Sequence, residues 1–211
     1  MSESDRLDEG LAKLGMELTP AAMRASLLTY VELLGRWGRT FNLTAVRDPL
    51  QMVSHHVLDS LAALPQLDAA VSERPHARVL DMGSGAGLPG LPLAALRPDL
   101  RFTLIDSVGK KAGFMRQAVA AMTLGNVDVV HGRVEALSET FDVVTARALA
   151  PLPTLVALAT PKVVAGGCLL ALKGELPPEE HVDCMHVVAV TVPFVDGTRQ
   201  VVRVDIGAQN G

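Results

Sequence analysis

Arg78-Val79-Leu80-Asp81-Met82-Gly83-Ser84-Gly85-Ala86-Gly87-Leu88-Pro89-Gly90 is the stretch from which the fold is read. An apolar run of strand length ends in a carboxylate. Three glycines follow at every second position, and helical spacing begins after them. Glycine there admits positive φ and lets a ligand approach the main chain with no Cβ in the way. Strand, glycine turn and helix start form the usual nucleotide-cofactor cradle of a parallel sheet.

Downstream, short β-branched runs alternate with helical segments. The pattern predicts strands at 78–82, 101–105, 127–130, 141–145 and 168–172. It predicts helices at 88–96, 110–124 and 152–164, with a short piece after Val134. That alternation implies βαβ units and a parallel sheet covered on both faces. The end differs: runs at 187–192 and 200–206 flank Asp196-Gly197, a hairpin-turn signal. A mostly parallel sheet closed by an antiparallel hairpin is the Rossmann-like α/β layout of class I S-adenosylmethionine-dependent methyltransferases, not that of dinucleotide dehydrogenases.

Upstream, residues 1–70 read as a helical extension packed on a sheet domain spanning 71–211. Leu7, Leu11, Leu14 and Leu18 space helically, with Gly15 as a break. Thr19-Pro20 offers a cap followed by a first-turn proline, and Met23, Leu27, Leu28, Val31 and Leu34 line one face to about Trp37. Asp48-Pro49 opens another helix, carrying Met52, Val53, His56 and Leu61. Trp37 and Phe41 read as core aromatics between the two parts. His55-His56 reads as packing or capping, since no partner has ligand spacing.

The bulk properties set bounds. At 211 residues, 49% of them hydrophobic, the chain can bury a sizeable core. No apolar run approaches the ~18 residues of a membrane span, and Met1-Ser2-Glu3-Ser4-Asp5 is too polar and acidic for a secretory signal. Cys168 and Cys184 have no metal-ligand or redox spacing, which fits a cytoplasmic location, and Cys168 reads as core. A net charge of −4 and 3% aromatics mean that a nucleic acid must be met by a local basic patch.

Gly85, Gly87 and Gly90 also match G-x-G-x-x-G, so a dinucleotide must be weighed. Asp81 would repel a pyrophosphate but suits the amino group of S-adenosylmethionine. Pro89 and Pro92 remove amide donors where a phosphate expects a helix N-terminus. Methyl donor is therefore the reading. Asp106, ending the next strand, can accept both ribose hydroxyls or can cap the following helix. Arg133-Val134-Glu135 falls where an adenine ring would lie.

The fourth strand ends in Thr145-Ala146-Arg147-Ala148-Leu149-Ala150, where the transferred methyl group should face. No Asn/Asp-Pro-Pro-aromatic run for exocyclic amines occurs there. Neither cysteine stands in a Pro-Cys context for pyrimidine carbon-5, and no His/Asp/Glu cluster suggests a metal. A substrate atom that is already nucleophilic remains, such as guanine N7, for which alignment and electrostatics suffice. Arg147 could hold guanine O6 or a phosphate, or serve as a structural ion pair. Lys110-Lys111 at a helix start opposes the macrodipole, which favours a functional basic patch.

Trp37 with Phe41-Asn42-Leu43-Thr44-Ala45-Val46-Arg47-Asp48-Pro49, then His56-Val57-Leu58-Asp59-Ser60, and the Gly83–Leu93 string resemble the RsmG (GidB) family. So do Asp106-Ser107-Val108-Gly109-Lys110-Lys111, Arg133-Val134-Glu135, Ala146-Arg147-Ala148 and Leu172-Lys173-Gly174. The resemblance covers about residues 20–206. It implies a cytoplasmic, monomeric, metal-free enzyme that methylates guanine N7 in 16S ribosomal RNA of the 30S subunit, with S-adenosyl-L-methionine as cofactor. It implies further that Gly83, Leu88, Asp106, Val134, Glu135 and Arg147 contact the methyl donor, with Arg147 also positioning the substrate. Arg133, Lys173 and Arg199 match basic positions that the family uses around the cofactor and RNA; Lys110 and Lys111 join them as RNA-binding candidates on the helix-start reading alone. His55 departs from the basic residue that relatives often carry. A small-molecule methyltransferase and a non-enzymatic, cofactor-binding ribosome assembly factor are the alternatives.

Overall fold

The computed structural model describes residues 1–41 and 43–206, the backbone alone at 39–41. Seven strands form one sheet: β1 (Arg78–Met82), β2 (Arg101–Asp106), β3 (Val127–His131), β4 (Phe141–Arg147), β5 (Val163–Lys173), β6 (Met185–Ala189) and β7 (Gln200–Ile206). Their order is β3-β2-β1-β4-β5-β7-β6. β1 to β5 pair in parallel, and β7 pairs antiparallel with both β5 and β6. The chain runs outward from β1 through β2 to β3 and returns to β4 on β1's other side. That reversal opens a crevice beyond the carboxyl ends of β1 and β4, the place where such sheets bind ligands.

Successive strand residues point to opposite faces, and the core divides accordingly. Val79, Phe102, Leu104, Val143, Cys168, Leu170 and Leu172 belong to one hydrophobic cluster. Leu80, Met82, Ile105, Val144, Ala146, Leu169 and Ala171 belong to the other. α6 (Gly90–Leu96), α7 (Gly109–Ala121) and the N-terminal helices cover the first face, and α8 (Leu152–Ala159) covers the second. The N-terminal helices share one continuous core with the sheet.

α1 (Glu3–Lys13) starts with a reciprocal cap: Ser2 Oγ accepts from Asp5 N at 3.1 Å, and Asp5 Oδ2 accepts from Ser2 N at 2.8 Å. Leu7 and Leu11 are buried as the spacing predicts, but Leu18 is 90% exposed. Gly15, at φ +73°, turns the chain out of the helix before Leu18 can join that face. α2 (Ala21–Phe41) extends beyond the expected end near Trp37. Thr19 does not cap it; its hydroxyl donates back to the Met16 carbonyl at 2.7 Å. Tyr30 and Trp37 meet the Phe114 ring of α7 edge-on, at centroid distances of 6.2 and 5.6 Å. The Phe41 side chain and Asn42 lie outside the described residues.

α3 (Pro49–Met52) opens at Asp48, whose carboxylate accepts from Leu50 N at 3.0 Å. It continues as a π-helical segment, Val53–Leu58, before α4 (Asp59–Leu61) and α5 (Leu64–Val71). Two expected boundaries move. The helix expected at 152–164 stops at Ala159 because Pro161 has no N–H to continue it, and β5 already begins at Val163. The terminal hairpin pairs as expected, but residues 190–199 separate its strands, so Asp196-Gly197 sits in a long loop rather than a tight turn. Phe194 anchors that loop on α1, with Arg6 and Lys13 over its ring at 4.9 and 4.3 Å. Among the described residues no helix is long and apolar enough to cross a membrane.

Candidate functional site: two cavities beyond β1 and β4

The first cavity, of about 160 Å³, is lined by Met82, Gly83, Ile105, Asp106, Ser107, Gly132, Arg133, Val134, Glu135, Leu149 and Leu158. Gly83 leaves β1 at φ +68°, with the Leu149 side chain lying over its main chain. Asp106 is almost fully buried. Its Oδ2 accepts from Gly85 N at 2.9 Å and its Oδ1 from Val108 N at 2.8 Å. It ties down the entry to α7 and the glycine turn, as the capping reading expects, and each carboxylate oxygen keeps a lone pair beyond these bonds. Lys111 Nζ stands 3.6 Å from Asp106 Oδ2, and Lys110 beside it is exposed.

The turn carrying Val134 and Glu135 is held from below. The buried Lys162 ammonium donates to the carbonyls of Glu135 and Leu137. Val134 is buried, whereas Arg133 and Glu135 are exposed at the rim. Leu88 belongs to the core cluster instead, 6% exposed and not among the residues that line the cavity.

Asp81 corrects the expectation placed on it. It is wholly buried; Oδ2 accepts from Gly90 N at 3.0 Å and Oδ1 from Thr145 Oγ1 at 3.2 Å. Its carboxylate is thus committed to the first amide of α6 and is not presented to an amino group. Burial pushes its pKa up to about 6, with the Gly90 N–H pulling the other way. Gly90 is glycine for the same reason: a Cβ there would lie 2.7 Å from Asp81 Oδ2. A negative charge at that amide also bars a phosphate from it.

The second cavity, of about 300 Å³, is lined by His55, Asp59, Arg147, Ala148, Leu172, Lys173, Gly174, Val190, Arg199, Gln200 and Val201. Arg147 at the end of β4 is the hub. Its Nη1 donates to Asp59 Oδ2 at 2.6 Å and to the His55 carbonyl at 3.0 Å, and its Nη2 to His56 Nδ1 at 3.3 Å. Arg199 Nε reaches the other Asp59 oxygen at 3.0 Å. His56 Nδ1 lies between Arg147 Nη2 at 3.3 Å and the His55 carbonyl at 3.0 Å, and Nε2 lies 2.7 Å from Thr44 Oγ1. Burial, reinforced by the Arg147 charge, lowers the His56 pKa to about 4.

The structure thus brings Gly83, Asp106, Arg133, Val134 and Glu135 to one cavity and Arg147, Lys173 and Arg199 to the other. His56 and Asp59 are more central than their helical spacing suggests. The π-helical segment and the turn after it carry the His55 carbonyl, the His56 ring and the Asp59 carboxylate to one guanidinium, a regrouping that an i, i+4 pattern does not announce. Among the described residues no group of His, Cys, Asp or Glu could hold a metal ion. Cys168 is buried, its thiol pushed up to about 11 by desolvation, and Cys184 is exposed.

Residues 23–200 match the model of the family described as GidB, rRNA small subunit methyltransferase G. A ribosomal RNA small subunit methyltransferase G of Leptothrix cholodnii is 42% identical over 95% of this chain and 94% of its own length. One from Neisseria meningitidis serogroup B is 42% identical over 96% and 98%. Among solved structures, MtNAS in complex with MTA and tNA superposes with a TM-score of 0.56 at 16% identity, covering 97% of this chain and 90% of that one. Precorrin-6y C5,15-methyltransferase of Geobacter metallireducens gives 0.51 at 12% identity, covering 68% and 87%. At such identities the structural likeness speaks for the class I methyltransferase fold alone.

Proposed function

The chain belongs to the GidB family of rRNA small subunit methyltransferase G, and on that premise we propose that it methylates N7 of a guanine in 16S ribosomal RNA, using S-adenosyl-L-methionine. The observation that carries this is the pair of adjoining cavities, one suited to a nucleoside and one ringed by Arg147, Lys173, Arg199 and His55.

The first cavity fits the cofactor chemically. Asp106 offers free lone pairs to a ribose diol, Val134, Leu158 and Leu149 give an apolar slot for an adenine ring, and Gly83 leaves the main chain open to the remainder. When bound, the cofactor supplies a methyl group on a positively charged sulfur. Everything else is alignment by this chain's own groups.

Guanine N7 carries a lone pair that needs no proton removed, so the site's work is orientation and charge. His56 suits that role rather than a base's: its ring is neutral, with Nδ1 against Arg147 and the His55 carbonyl and Nε2 against Thr44. Asp59 and the His55 carbonyl hold Arg147 Nη1, leaving Nε–H and an Nη2–H to meet O6 or a phosphate oxygen. Arg199, paired to the same Asp59, and Lys173 add positive charge to a mouth that an acidic protein needs where RNA enters. The protein acts as a monomer in the cytoplasm on this reading. Mass spectrometry of 16S RNA from a deletion strain tests it. One N7-methylguanosine should vanish and return with the intact gene; an unchanged modification pattern overturns the reading.

A further inference from the structure

The two cavities share one wall, the connection 148–151 between β4 and α8. Ala148 lines the Arg147 cavity, and Leu149, the next residue, lines the Asp106 cavity. Ala148 sits at φ +51°, a left-handed setting that a residue with a Cβ keeps only if its surroundings hold it there. Leu149 is 41% exposed, yet its Cδ1 lies 2.6 Å from where a Cβ on Gly83 would stand. Its methyl groups therefore cover the one piece of main chain that a ligand must approach.

A part-buried ion pair fastens this wall at its α8 end. Lys173 Nζ donates to the Ala150 carbonyl at 2.9 Å and pairs with Glu180 Oε2 at 2.6 Å. The same Glu180 oxygen accepts from Leu152 N, the first amide of α8, at 2.7 Å. The Lys173 and Glu180 side chains are only 15% and 17% exposed, so these charge-assisted bonds are little diluted by water. Lys173 is at the same time a lining residue of the Arg147 cavity. It therefore touches both the wall and the space for an acceptor.

We infer that Lys173 and Glu180 are positioning residues: their ion pair sets the wall between the methyl donor and its acceptor, and an RNA phosphate that draws the Lys173 ammonium into the Arg147 cavity releases Ala150 and lets Leu149 leave Gly83. The inference rests on the methyl-transfer reading above. Donor and acceptor atoms must come within ~3–3.5 Å for transfer, so the wall cannot stay where it separates them. A clasp opened by the acceptor itself would keep the donor covered until RNA arrives.

Glu180→Ala and Leu149→Ala, each in the full chain, test it. In the ligand-free protein, Glu180→Ala should speed amide hydrogen exchange at 149–152 by roughly tenfold or more, as expected for loss of one charge-assisted hydrogen bond. Exchange in β1 and α7 should stay at the wild-type rate. Leu149→Ala should bind S-adenosylhomocysteine several-fold more tightly in calorimetry, because nothing then has to be displaced from Gly83. On 30S particles Glu180→Ala should lower kcat without raising the KM for the methyl donor, a split that general loosening of the fold does not produce. Wild-type exchange at 149–152, a uniform rise across the protein, or unaltered binding in Leu149→Ala overturns the inference. Quickened exchange and tightened binding in a protein that methylates no 16S RNA would leave the clasp standing and sink the substrate reading instead.

Discussion

The two cavities lie side by side but are built from different material. The Asp106 cavity is made largely by main chain and short side chains from the turns after β1, β2 and β3: Gly83, Ser107, Gly132 and the Val134 turn. The Arg147 cavity is made by long charged side chains from four remote places: the segment around the π-helix, β4, β5 and β7. A cradle of glycines and amides is set as soon as its local turns form. A cradle of guanidinium, ammonium and carboxylate groups exists only once the whole molecule is assembled, because Asp59 meets Arg147 across 88 positions of sequence and Arg199 across 140. Substitutions in the second cavity should therefore damage turnover, whereas those in the first should damage cofactor affinity.

The largest effect expected is on the side-chain cavity. Arg147→Ala removes the hub and should lower kcat on 30S particles by roughly 10²–10³-fold, comparable to losing an electrostatic donor in other active sites. Binding of S-adenosylhomocysteine, read by calorimetry, should fall much less. Equal losses in both would mean that the arginine belongs to the cofactor cavity, and the division between the two would collapse.

Next comes pH. In the fold His56 titrates near 4 rather than 6.5, so the unfolded chain takes up the proton first. Its contribution to stability is complete above about pH 6.5 and is lost as the pH falls through 4, on the order of 2–3 kcal/mol in all. Asp81 works in the opposite sense. Its pKa of about 6 lies above the unfolded value of 3.8, so its contribution is complete below 3.8 and is lost as the pH rises through 6. The two offset each other in the wild type. His56→Gln removes only the first, so urea unfolding at about pH 7 and about pH 4.5 should show the variant gaining stability on acidification relative to wild type. Parallel pH dependences would mean that the ring takes up a proton without leaving Arg147.

What could be read from the sequence follows the same division. The glycine string, the acidic ends of β1 and β2, and the alternation of β-branched runs with helices are all local signals, and they point to a mostly parallel sheet closed by a hairpin and to the residues of the Asp106 cavity. Arg147 and Lys173 stand out by their place at strand ends, but their partners do not. Glu180 lies in a turn after β5 with no motif around it, and its bond to Leu152 N spans 28 positions. Asp59 was visible only as part of a family string. Asp81 shows the reverse case: a conspicuous carboxylate whose burial turns it inward to hold α6.

Asp106→Ala should come third. It deletes an acceptor already shared by two amides and meant for two hydroxyls, which should weaken S-adenosylhomocysteine binding by about 1–3 kcal/mol while leaving Arg147 and its partners undisturbed. Unchanged affinity would remove Asp106 from the cofactor site and leave it as the tie between Gly85 and α7.

The smallest effect separates two glycines of one turn. Gly83 and Gly85 both have positive φ, +68° and +61°, so alanine at either carries the left-handed strain of about 1–2 kcal/mol. Around Gly85 a Cβ finds nothing nearer than the Gly83 carbonyl at 4.0 Å, whereas at Gly83 it meets the Leu149 side chain. Gly83→Ala must in addition press on Leu149, so it should lose somewhat more stability than Gly85→Ala in thermal unfolding. The two should part further in binding. A methyl at Gly83 stands in the cavity itself and should weaken S-adenosylhomocysteine clearly, whereas Gly85→Ala should bind nearly as well as wild type. If Gly85→Ala proved as damaging to binding as Gly83→Ala, the turn as a whole, rather than the bare main chain at Gly83, would be what the ligand needs.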